Sequence, residues 1–131
     1  MSKMINLEPL CAEYGMKLVD VRRVSGTAKT DCENVINKGL GILVENGFYA
    51  LAVFLLSCNK KNYGTDVLRI LMEMLCDERI GLMDSGFSEE VEKNLDAIRK
   101  VTEDLSSLML ARRLAENALT FGRYHCKAIK D

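Results

Sequence analysis

His125 is the only histidine in the sequence, and an imidazole carries protons or holds metal only when a carboxylate or thiolate is placed beside it. Its neighbour Cys126 projects about 100° away around a helix, so His125 reads as a structural residue. The five cysteines, Cys11, Cys32, Cys58, Cys76 and Cys126, are odd in number, widely spread and free of any CxxC or Cys/His cluster. That pattern predicts reduced thiols and no metal centre. They are expected at exposed or half-exposed positions, with no Lys, Arg or helix start arranged to lower a thiol pKa. Glu89, Glu90 and Glu92 carry acid chemistry in principle, but acids in a first helical turn are expected for capping and solvation. Gly39-Leu40-Gly41 lacks the third glycine and preceding strand of a dinucleotide loop, and no GxxxxGK[ST] phosphate loop occurs. The residues therefore predict no enzyme, no cofactor and no small-molecule substrate.

One pattern points outward. On a helix at about 100° per residue, Arg112, Arg123, Lys127 and Lys130 fall within about 60° of one another, interrupted by Glu116 and Leu119. The stripe is about 27 Å long. It suits contact with a phosphate backbone through point charges, without base readout. The wider charge distribution agrees. Lys and Arg total 18 against 19 Asp and Glu, yet Asp77 to Asp104 holds nine acids and four bases, whereas Arg112 to Asp131 holds five bases and two acids.

The elements that position these residues follow from periodicity. The chain has 131 residues, 48% apolar and 28% charged, an ordinary globular balance for one core. Its single proline, Pro9, leaves nearly the whole chain free to run as helix. Leu7, Leu10, Cys11, Tyr14, Leu18 and Val21 recur at helical spacing, with Arg22 and Arg23 suited to the C-terminal dipole. A loop over 25–29 follows, and Thr30 with Glu33 offers a capping box for a second helix running to about Glu45. Asn46-Gly47 predicts a helix-to-helix corner, since its flanks do not alternate as hairpin strands would.

From Phe48 to Leu56 the sequence is apolar on nearly every face, which predicts the central helix. That run is about half the length a membrane span needs. Asn59-Lys60-Lys61-Asn62-Tyr63-Gly64 reads as a polar turn, with Thr65 or Asp66 capping a helix to about Cys76. A loop over Asp77 to Phe87 precedes a helix opened by Ser88. Beyond Thr102 the pattern either breaks or continues into a closing helix of about 25 residues. The expectation is an all-α single domain over 1–131, a compact bundle of about six helices with a long C-terminal helix. No basic-then-apolar leader opens the chain, and a cytoplasmic setting is expected.

Two stretches resemble the small helical subunit of the type III-B CRISPR effector, the fifth-numbered component of the Cmr complex. In KGLGILVENGFYALAVFLL, Lys38, Asn46, Gly47, Phe54, Leu55 and Leu56 match. In LMLARRLAENALTFGRYHCKAI, Leu110, Arg112, Phe121, Arg123 and Tyr124 match. Together these cover about a third of the chain. Leu40, Thr120 and Gly122 stand where the family commonly has proline, tryptophan and lysine.

The resemblance implies a non-catalytic subunit of an antiviral defence complex. Its copies would stack beside other effector subunits along guide and target RNA. It implies RNA-binding by Arg112, Arg123, Lys127, Lys130 and, on a different helix, Lys38. An alternative is a helical protein–protein adaptor or dimeric regulator that binds no nucleic acid. Its contact surface would be apolar, around Met72 and Met74.

Overall fold

Two helices meet so closely at Gly15 that this position has no ordinary room for a side chain, while Gly122 opposite it would hold a Cβ in ordinary van der Waals contact. A Cβ built on Gly15 would lie 2.7 Å from Phe121 Cβ and 2.9 Å from the Ala118 carbonyl oxygen, and one on Gly122 would lie 3.4 Å from the Gly15 carbonyl oxygen. The computed structural model that shows this describes residues 6–58, 63–84 and 86–129, apart from the side chain of Ser25. Among them are six helices and no strand: α1 Glu8–Ser25, α2 Lys29–Asn46, α3 Phe48–Ser57, α4 Tyr63–Cys76, α5 Val91–Glu103 and α6 Leu105–Ala128. The fold is all-α, as the periodicity predicts.

α1 and α6 form the most extensive helix pair, and α2 also packs along α6. One apolar cluster draws on every helix and on Met83 from the α4–α5 connection. Helix ends follow local chemistry at several points. Asn6 Oδ1 accepts from the Glu8 N–H at 3.1 Å, satisfying a donor at the start of α1. Gly47, at φ 97° and ψ −179°, occupies a region that only glycine enters without strain. Its N–H donates to Leu43 O at 3.0 Å and its carbonyl accepts from Leu51 N at 3.1 Å. One residue thus closes α2 and opens α3, the corner expected from Asn46-Gly47.

At Asp104 the chain leaves helical geometry, with φ −102° and ψ 122°. Its carboxylate accepts from Ser107 N at 2.9 Å and from Ser107 Oγ at 2.8 Å. This N-cap settles the ambiguity after Thr102 as a break.

Four expectations are corrected. Thr30 and Glu33 form no capping box, because α2 begins at Lys29 with Ala28 as N-cap and no side-chain cap. α4 begins at Tyr63, before Thr65 and Asp66, because Tyr63 is drawn fully into the core and Gly64 lies against the Leu55 carbonyl. The rest of that expected turn, 59–62, lies outside the described residues. α5 begins at Val91, not at Ser88. Buried Asn94 holds the Ser88 backbone from both sides, accepting from its N–H and donating to its carbonyl, each at 2.7 Å.

Finally, α3 is not the central helix, since Tyr49 and Val53 remain 42% and 44% exposed. The more thoroughly enclosed helix is α4, where Val67, Leu68, Leu71, Met72, Met74 and Leu75 all have no exposure. α3 has only ten residues and packs chiefly on α2, α4 and α5, leaving its outer side uncovered.

The α4–α5 connection is tied to α1. Tyr14 Oη donates to Asp77 Oδ2 at 3.0 Å, while Arg79 bonds both Asp77 and Glu13 at 2.9 Å. The Arg79 guanidinium, and then its backbone N–H, hold the Asp77 carboxyl well below the usual carboxylate range. Burial, reinforced by the hydrogen bond to Asp77, pushes the Tyr14 hydroxyl up to about 12. Because the folded-state pKa of Asp77 is depressed, its stabilisation is present above the unfolded value of about 3.9 and is lost as pH falls through the folded value.

Two outcomes are expected. In urea titrations, wild type should lose part of its advantage over Asp77→Asn on going from pH 7 to pH 2.5, which lies below the unfolded value but above the folded one; an unchanged difference would remove the Asp77 network as a pH-dependent brace. Gly15→Ala should cost about 1–3 kcal/mol through overpacking against the α6 backbone. Gly41→Ala, at an exposed helical position with nothing within 4 Å of the new Cβ, should instead gain about 0.5–1 kcal/mol. Equal effects at the two glycines would contradict the close crossing.

Candidate nucleic-acid interface

α6 runs without interruption from Leu105 to Ala128, so Arg112, Arg123 and Lys127 do share an arc of about 60°. Lys130 lies outside the described residues. The same arc contains Leu119, which has no exposure, and it borders the buried face formed by Ala111, Leu114, Ala115, Ala118, Gly122 and Cys126. The cations therefore differ in setting.

Arg112 is exposed, yet its guanidinium donates to the carbonyl of Val44 in the last turn of α2. It satisfies one of the orphan acceptors there and complements the negative end of the helix dipole. Arg123 is half-buried; its Nε is shielded and has no hydrogen-bond partner, and its guanidinium carbon lies 5.4 Å from the Tyr124 ring centroid. Lys127 is exposed.

Lys38 is exposed on α2, on the side opposite the buried residues Cys32, Val35, Ile36, Gly39, Leu40 and Leu43. α2 and α6 lie antiparallel. At one end Lys29 Nζ donates to Ile129 O at 2.7 Å, and at the other Arg112 reaches Val44. The structure thus places Lys38 on the helix adjoining the α6 cations without aligning it on their arc.

Sequence reasoning passed over Arg113. It is exposed about 100° around the axis from Arg112, on the solvent side with Asn117 and Tyr124. The signal was available in the helical spacing, but the buried sector that makes this the outer face was not.

Ion pairing is uneven over the surface, and Lys17, Arg23 and Lys100 are exposed cations that also lack a carboxylate partner among the described residues. Among the described residues, ion pairs join Arg69 to Asp66 and Glu73, Arg79 to Glu13 and Asp77, Lys93 to Glu90, and Arg99 to Asp96. These cations belong to α4, α5 and their connection. None of Lys38, Arg112, Arg113, Arg123 or Lys127 has a carboxylate partner among them. Glu116 shares the α6 arc and lowers its net charge, but it is paired with none of these cations.

The thiols are sorted by burial. Cys11, Cys32 and Cys126 have no exposure and only Cys58 and Cys76 are half-buried, so the expectation of exposed or half-exposed thiols fails for three of five. Each of those three sits on the buried stripe of its helix. All five are free. Cys32 donates to Tyr63 Oη at 3.0 Å, and Tyr63 donates to Leu18 O at 2.5 Å.

Burial, with the neighbouring Cys32 thiol, pushes Cys126 up to about 12. Burial also raises Cys11, and raises Cys76 together with Asp84 and Glu73. These three upward shifts favour the protonated thiol, which is poorly suited to nucleophilic attack at neutral pH. Among the described residues, no group of three or more His, Cys, Asp or Glu is placed to hold a metal ion. No helix among them is long and apolar enough to cross a membrane.

The adaptor surface imagined around Met72 and Met74 does not exist, because both side chains have no exposure. They fill the core on the inner side of α4. Comparison with known protein families, curated proteins and solved structures gives no match to this chain. What stands established is a class: an all-α bundle of six helices among its described residues, with cations along α2 and α6 that have no carboxylate partner among those residues.

Maleimide labelling of the native protein at pH 7.5 should modify Cys58 first and Cys76 more slowly. Cys11, Cys32 and Cys126 should react only after unfolding. Rapid labelling of Cys126 would show that the α2–α6 contact opens freely.

Proposed function

We propose that this chain is a non-catalytic small subunit of a type III-B CRISPR effector, contacting the phosphates of guide or target RNA from its α2 and α6 surface. The observation that carries the reading is the uneven pairing of charge. Arg69, Arg79, Lys93 and Arg99 are each satisfied by a carboxylate of the same chain, whereas Lys38, Arg113 and Lys127 stand exposed without one among the described residues. An unpaired cation facing solvent retains its full attraction for a polyanion and releases counterions when it binds.

Support also comes from the resemblance of Lys38–Leu56 and Leu108–Ile129 to that family, which includes Lys38, Arg112 and Arg123. On this reading the partners are RNA, other effector subunits and copies of the chain itself, in the cytoplasm. No cofactor is required. Arg112 has a second duty, since it caps α2, and Arg123 is partly enclosed; the most accessible phosphate contacts are therefore Lys38, Arg113 and Lys127.

The test uses the tagged chain purified with its assembly from the host. Lys38→Glu, Arg113→Glu and Lys127→Glu combined should abolish retention of short RNA without changing the far-ultraviolet circular dichroism. If residual binding is measurable, the salt dependence of its affinity should flatten by roughly 2 in log–log slope for three lost contacts to a single strand. Full retention of RNA with an unchanged salt slope would sink the proposal.

A further inference from the structure

On the outer side of α2, Asn34, Asn37 and Lys38 follow one another at helical i, i+3, i+4 spacing and rim a groove of about 320 Å³. Its floor is Phe54 and Cys58, both half-buried, with the buried Val35. That volume lies in the range of small-ligand sites. The three rim side chains are exposed, and none has a hydrogen-bond or ion-pair partner among the described residues. The groove therefore offers an aromatic floor, two amides with free donors and acceptors, and one free ammonium group.

We infer that this groove receives a single unpaired nucleobase of an RNA strand, stacked on Phe54, with its edge bonded by Asn34 and Asn37 and its phosphate held by Lys38. The inference rests on the RNA-facing reading above and adds a base-binding position to it. Three arguments favour a base over other occupants. An apolar peptide side chain would cover the amides and leave them unsatisfied, which is costly, whereas a base brings both a π face and a hydrogen-bonding edge. Lys38 supplies the positive charge that the adjoining phosphate requires. A base inside a duplex cannot enter, because its faces are already stacked; single-stranded RNA is the form that presents it.

The larger groove of about 490 Å³ between the α4–α5 connection, α5 and α6 lacks this chemistry. Its Lys93 is paired with Glu90, its Asp96 with Arg99, and Asp84 adds a further carboxylate to its wall.

Cys58 on the floor provides a reporter. The full chain is treated with N-ethylmaleimide alone, with an unstructured ten-nucleotide oligoadenylate or oligouridylate, or with an abasic ribose–phosphate chain of equal length, and the rates at Cys58 and Cys76 are read by mass spectrometry. The base-bearing strand should slow Cys58 by about tenfold and leave Cys76 unchanged, and the abasic strand should bind without slowing Cys58. Asn37→Ala and Phe54→Leu should each weaken binding of the base-bearing strand by about tenfold, as loss of one stacked base does, and leave the abasic affinity as it was.

Asn37 is on the surface, so its variant keeps the test intact if Phe54→Leu fails to fold. Equal protection of Cys58 by both strands, or full binding by Asn37→Ala, overturns the groove while leaving the phosphate contacts standing. Failure of both strands to bind overturns both readings. Shielding of Cys58 that grows with protein concentration in the absence of RNA would assign the groove to a second copy of the chain and overturn it as a base site.

Discussion

The crossing of α1 and α6 at Gly15 and Gly122 is the constraint from which the arrangement of the other helices follows. Glycine inside a helix is ordinarily unfavourable by about 1 kcal/mol relative to alanine. Here its absent side chain lets the two backbones approach until the Gly15 carbonyl faces Gly122. With that contact fixed, α6 serves as a spine of about 36 Å for its 24 residues. α2 is then held along it at both ends, by Lys29 on the Ile129 carbonyl and by Arg112 on the Val44 carbonyl. The same pairing that tethers α2 thus determines which side of it, with Asn34, Asn37 and Lys38, faces water.

Polar groups inside the bundle act as locators. Tyr63 has no exposure, and its hydroxyl is engaged by Leu18 O and the Cys32 thiol. It therefore joins the start of α4 to α1 and α2 at one point. Leaving such a hydroxyl without a partner would cost about 1–3 kcal/mol, so few alternative placements of α4 are tolerable. Asn94 does the same for the segment before α5 by gripping both backbone groups of Ser88. Neither link lies within a helix, and each explains why a helix begins where local capping signals did not put it.

The surface divides by how its charges are answered. Where α4 and α5 meet solvent, Arg69, Lys93 and Arg99 each pair with a carboxylate three residues before it, while Lys100 has no such partner among the described residues; such exposed pairs contribute little to stability. Along α2 and α6, Lys38, Arg113 and Lys127 lack such partners among the described residues, and Arg112 is spent partly on closing a neighbouring helix. On the proposed reading, binding an anionic polymer needs charge the chain has not cancelled, while holding α2 against α6 needs Arg112 where it is. Both demands fall on the same helix, which is why its cations are not equivalent.

The sequence by itself determined the helices as local objects. Three- and four-residue apolar spacing, one proline and the Asn46-Gly47 corner sufficed for an all-α bundle with a long closing helix, because periodicity and backbone freedom act over a few residues. Angular spacing likewise placed Arg112, Arg123 and Lys127 on one arc. It could not say that this arc borders the core, or that Met72 and Met74 point inward.

Nor could it show that Asn34, Asn37 and Lys38 overlook Phe54, since that depends on the packing of α3 against α2. Thr30 and Ser88 looked like caps because a capping motif is a short string. Tyr63 and Asn94 overruled the expected starts of α4 and α5 by contacts spanning 45 and 6 residues. Which face of a helix is buried is decided by the helix it meets, and that partner is chosen by packing over distances no local pattern records.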